Sequence, residues 1–368
     1  GPTSHTAILA RALGLPAVVA CPGATGIPDG TWASVDGEAG EVVIGIGADE
    51  AEKIQRQAQA ERERVGGTTG PGRTADGHPV KLLLNIGSAG DVAPGTEAEG
   101  VGLFRTEFLY LDRRTPPTHE EQIAAYGEVL RAFAGGQVVF RTLDAGTDKP
   151  LPFLGLAEET NPALGIRGLR VSRVRPEVID AQLDAIAEAA RASGAEPWVM
   201  APMVTTPGEG ADFARRARAR GLTRVGAMIE VPAAALHADR LLDDLDFLSI
   251  GTNDLSQYTF AADRQHGDLA DLLDPWQPAL LHMVRLCAEA GRAAGKPVGV
   301  CGEAAADPLL ATVLVGLGVT SLSMSARSVP AVRDALARHT LDECRRNAEL
   351  ALAARDAEAA RQAVRAAG

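Results

Sequence analysis

A short apolar run followed by a stretch of helical spacing recurs along the chain from Lys81 onwards. Such runs, bounded by turn residues, indicate buried strands. Eight of these units within about 270 residues predict an α/β fold, a (β/α)8 TIM barrel. A doubly wound open sheet is the alternative, but residues 85–88 (Asn-Ile-Gly-Ser) are not the glycine-rich phosphate turn it would need. The predicted strands are 81–87, 101–108, 137–144, 198–204, 224–231, 247–254, 297–303 and 321–325.

The chain ahead of the barrel divides into two parts. Residues 1–47 alternate helix and strand signals but are too short for a complete domain, so we expect them to be the C-terminal part of a β/α domain whose upstream sequence is missing. Residues 48–76 predict a linker helix and then a flexible, glycine-rich joint at 66–76. Residues 77–368 form the predicted barrel domain, and the tail after His339 is expected to end in a surface helix.

Composition narrows the class of protein. The net charge of −12 argues against non-specific binding to nucleic acid or to an anionic membrane surface. No run approaches the roughly 20 uncharged apolar residues of a membrane span. The four cysteines form no CxxC pair, which favours reduced thiols in a cytoplasmic enzyme.

Charged and polar residues stand at five of the predicted strand ends. Because buried strands seldom finish in unpaired charge, the repetition indicates a functional site at the carboxyl end of the barrel. Planar arginine forks suit phosphate and carboxylate groups, and two carboxylates suit Mg²⁺. The pattern therefore predicts a small, highly anionic substrate bound with Mg²⁺. The residues concerned are Arg105, Arg141, Asp144, Glu230, Asn253, Asp254, Cys301 and Glu303, with Arg264 and Arg167 as further arginines.

The segment Thr3-Ser4-His5-Thr6 opens a predicted helix over residues 6–13. A histidine at a helix start lies where backbone N–H groups and the helix dipole favour an anion. Neutral imidazole is also a competent nucleophile. His5 is therefore a candidate for a covalent phosphohistidine.

Several segments, in order, resemble Enzyme I of the bacterial sugar phosphotransferase system. This family consists of phosphoenolpyruvate-protein phosphotransferases. The resemblance covers nearly the whole chain. We expect the given sequence to lack the family's N-terminal helical domain and part of its swivelling phosphohistidine domain. The matching segments are GPTSHTAILARALGLPAVV, EGVGLFRTEFLYLDRRTPPTHEEQ, FLSIGTNDLSQYTFAADR and VGVCGEAAADP.

The resemblance implies a role for each matching position. His5 would accept the phosphoryl group on the nitrogen distal to the backbone, and Cys301 would protonate the enolate of pyruvate. Glu230 and Asp254 would bind Mg²⁺. It also implies transfer to the phosphocarrier protein HPr and dimerisation through the barrel. Pro2 and Val231 depart from common family residues, but neither removes a reactive group. The implied substrate-binding residues are Arg105, Arg141, Asn253, Asp254 and Arg264.

The same residues have ordinary interpretations when the resemblance is set aside. His5 could be a surface residue beside a helix cap, and Cys301 an inert buried thiol. Arg105 and Arg141 could form ion pairs with Glu107 and Asp144. Glu303 and Lys149 are at most supporting groups.

Other functions also remain open from the sequence. Pyruvate phosphate dikinase and phosphoenolpyruvate synthase share a swivelling phosphohistidine and a similar barrel, and a nitrogen-regulatory paralogue is a further alternative. A different class is a non-catalytic regulator that senses phosphoenolpyruvate. A metal-dependent lyase or aldolase on the same barrel would have no use for the His5 segment.

Overall fold

The computed structural model describes residues 15–18, 21, 23–37, 41–92, 97–111, 113–146 and 151–367. The candidate nucleophile His5 and the supporting candidate Lys149 lie outside the described residues. Ahead of the barrel, two short antiparallel strands, β1 (Ala33–Asp36) and β2 (Glu41–Ile44), form a hairpin-like sheet. The long helix α1 (Ala48–Gly67) follows, as the charged segment predicted.

Eight parallel strands close into a barrel in the order β10-β3-β4-β5-β6-β7-β8-β9. The barrel prediction is therefore confirmed, and the open-sheet alternative is wrong because β10 pairs with both β3 and β9. The strands are β3 (Lys81–Ile86), β4 (Gly100–Arg105), β5 (Gln137–Arg141), β6 (Trp198–Ala201), β7 (Arg224–Ile229), β8 (Phe247–Ile250), β9 (Val298–Val300) and β10 (Ser321–Met324).

Helices surround the strands and bury an apolar layer between the two shells. The predicted helix at 233–243 is interrupted at His237, whose backbone leaves the helical region. The remaining helices are α2 (His119–Ala132), α3 (Pro176–Ser193), α4 (Pro207–Arg218), α5 (Pro232–Leu236), α6 (Ala238–Asp244), α7 (Thr252–Phe260), α8 (Pro278–Ala294), α9 (Pro308–Gly316), α10 (Val329–Ala337), α11 (Leu341–Ala353) and α12 (Ala357–Ala367). None of the helices in the described part of the chain is long and apolar enough to cross a membrane.

Side chains fill the inside of the barrel. The packing leaves no room for a side chain at Gly226, because a Cβ there would lie 2.6 Å from the ring of Phe247. The interior is therefore a packed core rather than a channel, as expected for this fold. Its buried members are Leu103, Val139, Met200, Met228, Phe247 and Cys301.

The segment predicted as a flexible joint is partly fixed to the barrel. The backbone N–H of Gly70 donates to Glu97 Oε2 at 2.8 Å, and that of Gly72 donates to Glu99 Oε2 at 3.0 Å. The glycines of this segment predicted flexibility because the glutamates that bind them lie 27 residues further along the chain. The chain from Gly70 onwards therefore belongs structurally to the barrel.

Helix α1 is also attached to the barrel near its C-terminal end. Arg64 forms an ion pair with the buried carboxylate of Asp334 on α10. Arg338 pairs with the same carboxylate at 3.0 Å. The last turn of α1 is therefore held against α10 by charge as well as by packing.

The tail contains two helices, α11 and α12, and the last of them has a buried face as well as an exposed one. Small residues of α12, such as Ala360 and Val364, are buried. Arg361 lies over the ring of Trp276 and pairs with Asp274 at 2.8 Å. The chain therefore ends in a surface helix, as expected, and the alanines on its inner side allow close packing against α11.

Candidate active site

The structure brings the predicted site residues of the barrel to the carboxyl ends of the strands. Arg105 is the last residue of β4 and Arg141 the last of β5, and they pair in register. The predicted strand at 247–254 ends at Ile250, so Asn253 and Asp254 lie in the first turn of α7 instead. Because strand ends and helix starts meet there, polar groups are concentrated at the carboxyl end of the barrel, here called its mouth.

Arg141 is buried and surrounded by carboxylates. It forms an ion pair with Glu107, and its Nη1 lies 3.2 Å from Asp144 Oδ2 and 3.8 Å from Glu230 Oε1. Burial opposes the charge, but these carboxylates outweigh it and raise the pKa of Arg141, which stays protonated. Arg141 Nε and Glu107 Oε2 are buried without a hydrogen bond among the described residues. Unsatisfied charged atoms in this position favour a ligand site.

Glu230 follows β7 and is also buried. Its Oε2 accepts a hydrogen bond from the backbone N–H of Met203 at 3.0 Å. Met203 has a φ of 58°, in the left-handed region that non-glycine residues seldom adopt. Burial, with repulsion from Asp144 and Asp254, raises the pKa of Glu230 well above its ordinary value. The backbone is thus held in an unfavourable conformation at the point where it orients this carboxylate.

Asp254 is held between two arginines. Its Oδ1 lies 3.2 Å from Arg167 Nη1, and its Oδ2 lies 3.5 Å from Arg264 Nη1. Arg167 also reaches Asp144 Oδ1 at 3.3 Å through Nη2. The isolated bridge between Gly146 and Arg167 places this arginine beside the end of β5.

Cys301 follows β9 and lies inside the barrel. Its Sγ donates to the carbonyl oxygen of Ile250 at 3.6 Å. Burial raises the pKa of the thiol to about 11, although Ser249, Arg141 and Arg105 lower it. The thiol is therefore protonated at neutral pH and lies within electrostatic reach of both strand-end arginines.

The two remaining polar candidates are exposed at the mouth. Asn253 Oδ1 accepts a hydrogen bond from the backbone N–H of Glu303 at 3.1 Å, which ties α7 to the end of β9. Arg105 is exposed, and its side chain makes no hydrogen bond or ion pair with the residues that the structure describes. Its guanidinium is available for a ligand.

The donor set is compatible with a divalent cation. Glu230 and Asp254 repel each other electrostatically in a buried setting, and a cation between them would relieve the cost of their charge. Within the described ranges no three His, Cys, Asp or Glu side chains are grouped as a metal cluster. Mg²⁺ needs only one or two protein carboxylates, because water and substrate oxygens complete its shell.

Sequence reasoning undervalued some of these residues and missed others. Arg167 carried little support, yet it links Asp144 to Asp254 and is almost fully buried. The sequence ahead of Arg167 has no strand or helix periodicity from which its position could be predicted. The Met203 N–H left no signal at all, because a backbone conformation is invisible in the residue type. Glu107 and Asp144 could have been found from the sequence, because each is a carboxylate close in the chain to a strand-end arginine.

Fold and site together define a closed (β/α)8 barrel with arginines and buried carboxylates gathered at the carboxyl ends of its strands. Residues 61–341 match the family described as PEP-utilising enzyme, PEP-binding domain, and residues 1–40 match PEP-utilising enzyme, mobile domain. The chain belongs to the PEP-utilising enzymes.

Among individual relatives, the chain is 55% identical to a phosphoenolpyruvate-protein phosphotransferase of Streptomyces coelicolor, over 100% of this chain and 66% of that protein. It is 43% identical to a phosphoenolpyruvate-protein phosphotransferase of Haloferax volcanii, over 96% of this chain and 65% of that protein. The chain thus spans about two thirds of the length of these relatives. Among solved structures, a HpcH/HpaI aldolase/citrate lyase family protein from Burkholderia cenocepacia has a TM-score of 0.40 and 17% identity, covering 75% of this chain and 97% of its own.

Proposed function

We propose that the protein transfers the phosphoryl group of phosphoenolpyruvate to His5 and then to a histidine phosphocarrier protein, HPr, releasing pyruvate. The observation that carries this proposal is the grouping of arginines around two buried carboxylates and a buried thiol at one end of the barrel. The names of the relatives support the same substrate and acceptor class. The chain would act in the cytoplasm and dimerise through its barrel.

Substrate binding is the task of the arginines. Arg105 and Arg141 leave neighbouring strands in register, so their guanidinium groups can hold one phosphate from two sides. Arg264 and Asn253 would add contacts from the α7 side of the mouth. Since the site is partly buried, these charges act on the phosphate with little screening by water.

Glu230 and Asp254 would hold Mg²⁺. When bound, the ion would neutralise charge on the phosphate and carboxylate oxygens of the substrate. Arg167 and Met203 N–H keep the two carboxylates in place for this role.

His5 attacks the phosphorus, so that a nitrogen–phosphorus bond forms while the bond from phosphorus to the enol oxygen breaks. Positioning and electrostatics contribute most of the rate in such transfers. The enolate then takes the proton of Cys301 at its methylene carbon and becomes pyruvate. The raised pKa of the Cys301 thiol suits a donor that must be protonated beforehand.

The test is phosphorylation of the chain by phosphoenolpyruvate labelled at phosphorus, with Mg²⁺ present. We expect acid-labile, base-stable label on the wild-type protein and none on His5→Ala. His78→Ala is the matched control, since His78 is exposed and far along the chain from the His5 motif. Equal labelling of His5→Ala and the wild type would reject the assignment of the nucleophile.

A further inference from the structure

Behind the two strand-end arginines lies a buried polar network, here called the Gln182 network. It consists of Gln182 on α3, Thr106 after β4, and Tyr126 and Gln122 on α2. Gln182 is 0% exposed, although glutamine is usually a surface residue. A polar side chain buried this completely must be satisfied by hydrogen bonds, and here each bond has a defined partner.

The amide of Gln182 joins two strand ends. Its Oε1 accepts from the backbone N–H of Leu143 at 2.8 Å, and its Nε2 donates to Thr106 Oγ1 at 2.9 Å. Because a backbone N–H can only donate, the orientation of the amide is fixed. Thr106 Oγ1 in turn donates to the carbonyl oxygen of Arg141 at 2.8 Å.

The network continues away from the site into α2. Gln182 Nε2 donates to the hydroxyl of Tyr126 at 3.1 Å, and that hydroxyl donates to Gln122 Oε1 at 3.4 Å. Tyr110, which follows Glu107, donates to the same oxygen at 2.9 Å. Donor and acceptor roles agree throughout, so the network has a single consistent arrangement.

These contacts fall beside the arginines that would bind phosphate. Thr106 is the residue after Arg105, and Leu143 lies two residues after Arg141. Arg141 is also held by ion pairs, but Arg105 makes none with the residues the structure describes. The direction of the Arg105 side chain therefore depends on its backbone, which the β4–β5 ladder and the network together hold relative to that of Arg141.

We infer that Gln182 is a positioning residue, which sets the spacing of Arg105 and Arg141 for the phosphate of phosphoenolpyruvate without touching it. This inference rests on the proposed function. Bidentate binding from two strands is sensitive to small displacements, and in enzymes a misplacement of about 1 Å can cost about 100-fold in rate. Loss of the amide should weaken substrate binding beyond any general loss of stability.

The first experiment compares Gln182→Leu with Leu183→Ala by titration calorimetry with phosphoenolpyruvate and Mg²⁺, with His5→Ala added to every protein so that the substrate is bound but not consumed. Leu183 is 0% exposed on the same helix and packs into the main core, outside the network. Both variants should lower the unfolding temperature, but only Gln182→Leu should weaken binding, by about tenfold. Leu183→Ala should stay within about twofold of wild type.

A second pair of variants keeps the test decisive if Gln182→Leu does not fold. Thr106→Val removes the hydroxyl that links Gln182 to the Arg141 carbonyl, whereas Thr106→Ser retains it. We expect weakened binding for the valine variant and recovery for the serine variant. Equal binding by these two, or wild-type affinity for Gln182→Leu, would overturn the inference while leaving the proposed function intact. A wild-type chain that binds no phosphoenolpyruvate would overturn the proposed function and the inference with it.

Discussion

Arg167 and Asp254 face each other across the mouth of the barrel, with Nη1 and Oδ1 3.2 Å apart and both residues buried. The same guanidinium reaches Asp144, so one cation compensates two carboxylates. A buried pair of this kind adds little stability compared with apolar packing, but breaking it is costly. The contact therefore acts mainly to hold the Asp254 carboxylate in place.

Removing the Arg167 charge should destabilise the protein and impair the site. We expect Arg167→Met to lower the free energy of unfolding by about 3–5 kcal/mol, because Asp144 and Asp254 lose a buried partner. Denaturant titration measures this change. The control is Arg173→Met, whose exposed ion pair with Glu209 should contribute less than about 1 kcal/mol. Similar stabilities for the two variants would contradict the role given to Arg167.

Addition of Mg²⁺ should raise the unfolding temperature, and chelation should reverse the effect. Binding to the folded state alone stabilises it, and Glu230 and Asp254 exist as a close pair only there. In Glu230→Gln the response to Mg²⁺ should vanish. The metal-free variant should not be destabilised electrostatically, because the substitution removes a carboxylate that Asp144 and Asp254 repel. Glu188→Gln, an exposed change on α3, should retain the response. Differential scanning fluorimetry distinguishes these outcomes.

Cys301→Ala should slow proton exchange at the methyl group of pyruvate in D₂O with Mg²⁺, since this exchange requires the reverse of the proposed proton transfer. A loss of at least about 100-fold is expected for removal of a general acid. Binding of phosphoenolpyruvate should survive, because the arginines remain. The exchange is followed by proton NMR. Unchanged exchange alongside lost binding would count against the proton donor.

The reactivity of Cys301 should depend on pH in a way that reflects its raised pKa. Below about 11 the thiol holds its proton in the folded state, so the reactive thiolate is about one molecule in a thousand at pH 8. Alkylation by iodoacetamide should therefore increase as the pH rises towards 11, without a plateau near 9. Peptide mass spectrometry separates Cys301 from the more accessible Cys21. A plateau near pH 9 for Cys301 would show that its environment does not raise its pKa.

The attachment of α1 should depend on Arg64. Arg64→Ala removes its ion pair with the buried Asp334 and should speed hydrogen exchange in the last turns of α1. Arg56→Ala, which loses an exposed pair with Glu52 at 4.0 Å and an exposed hydrogen bond to the carbonyl oxygen of that residue, should have little effect. Exchange in the barrel strands should be the same in both variants, and faster exchange there would mean that Arg64 supports the barrel itself.

The barrel could be predicted from the sequence because each strand–helix unit carries its own periodic pattern, as at Lys81–Ile86 and His119–Ala132. Residues such as Arg141 and Glu230 could be assigned to one mouth because parallel strands in a closed barrel end on the same side. Contacts that depend on irregular backbone could not be predicted. Arg167 reaches the site through a loop, and Gln182 lies on a helix where its residue type suggested an exposed position.

The hydrogen bonds from Gly70 and Gly72 to Glu97 and Glu99 have a practical consequence for domain exchange. Two carboxylates of the barrel take backbone donors from residues that lie before its first strand. A chimera that joined a foreign N-terminal domain directly at Lys81 would leave both glutamates without those donors. A portable version of this barrel should therefore include Gly70 and Gly72, and shuffling among relatives should not cut the chain between them and Lys81.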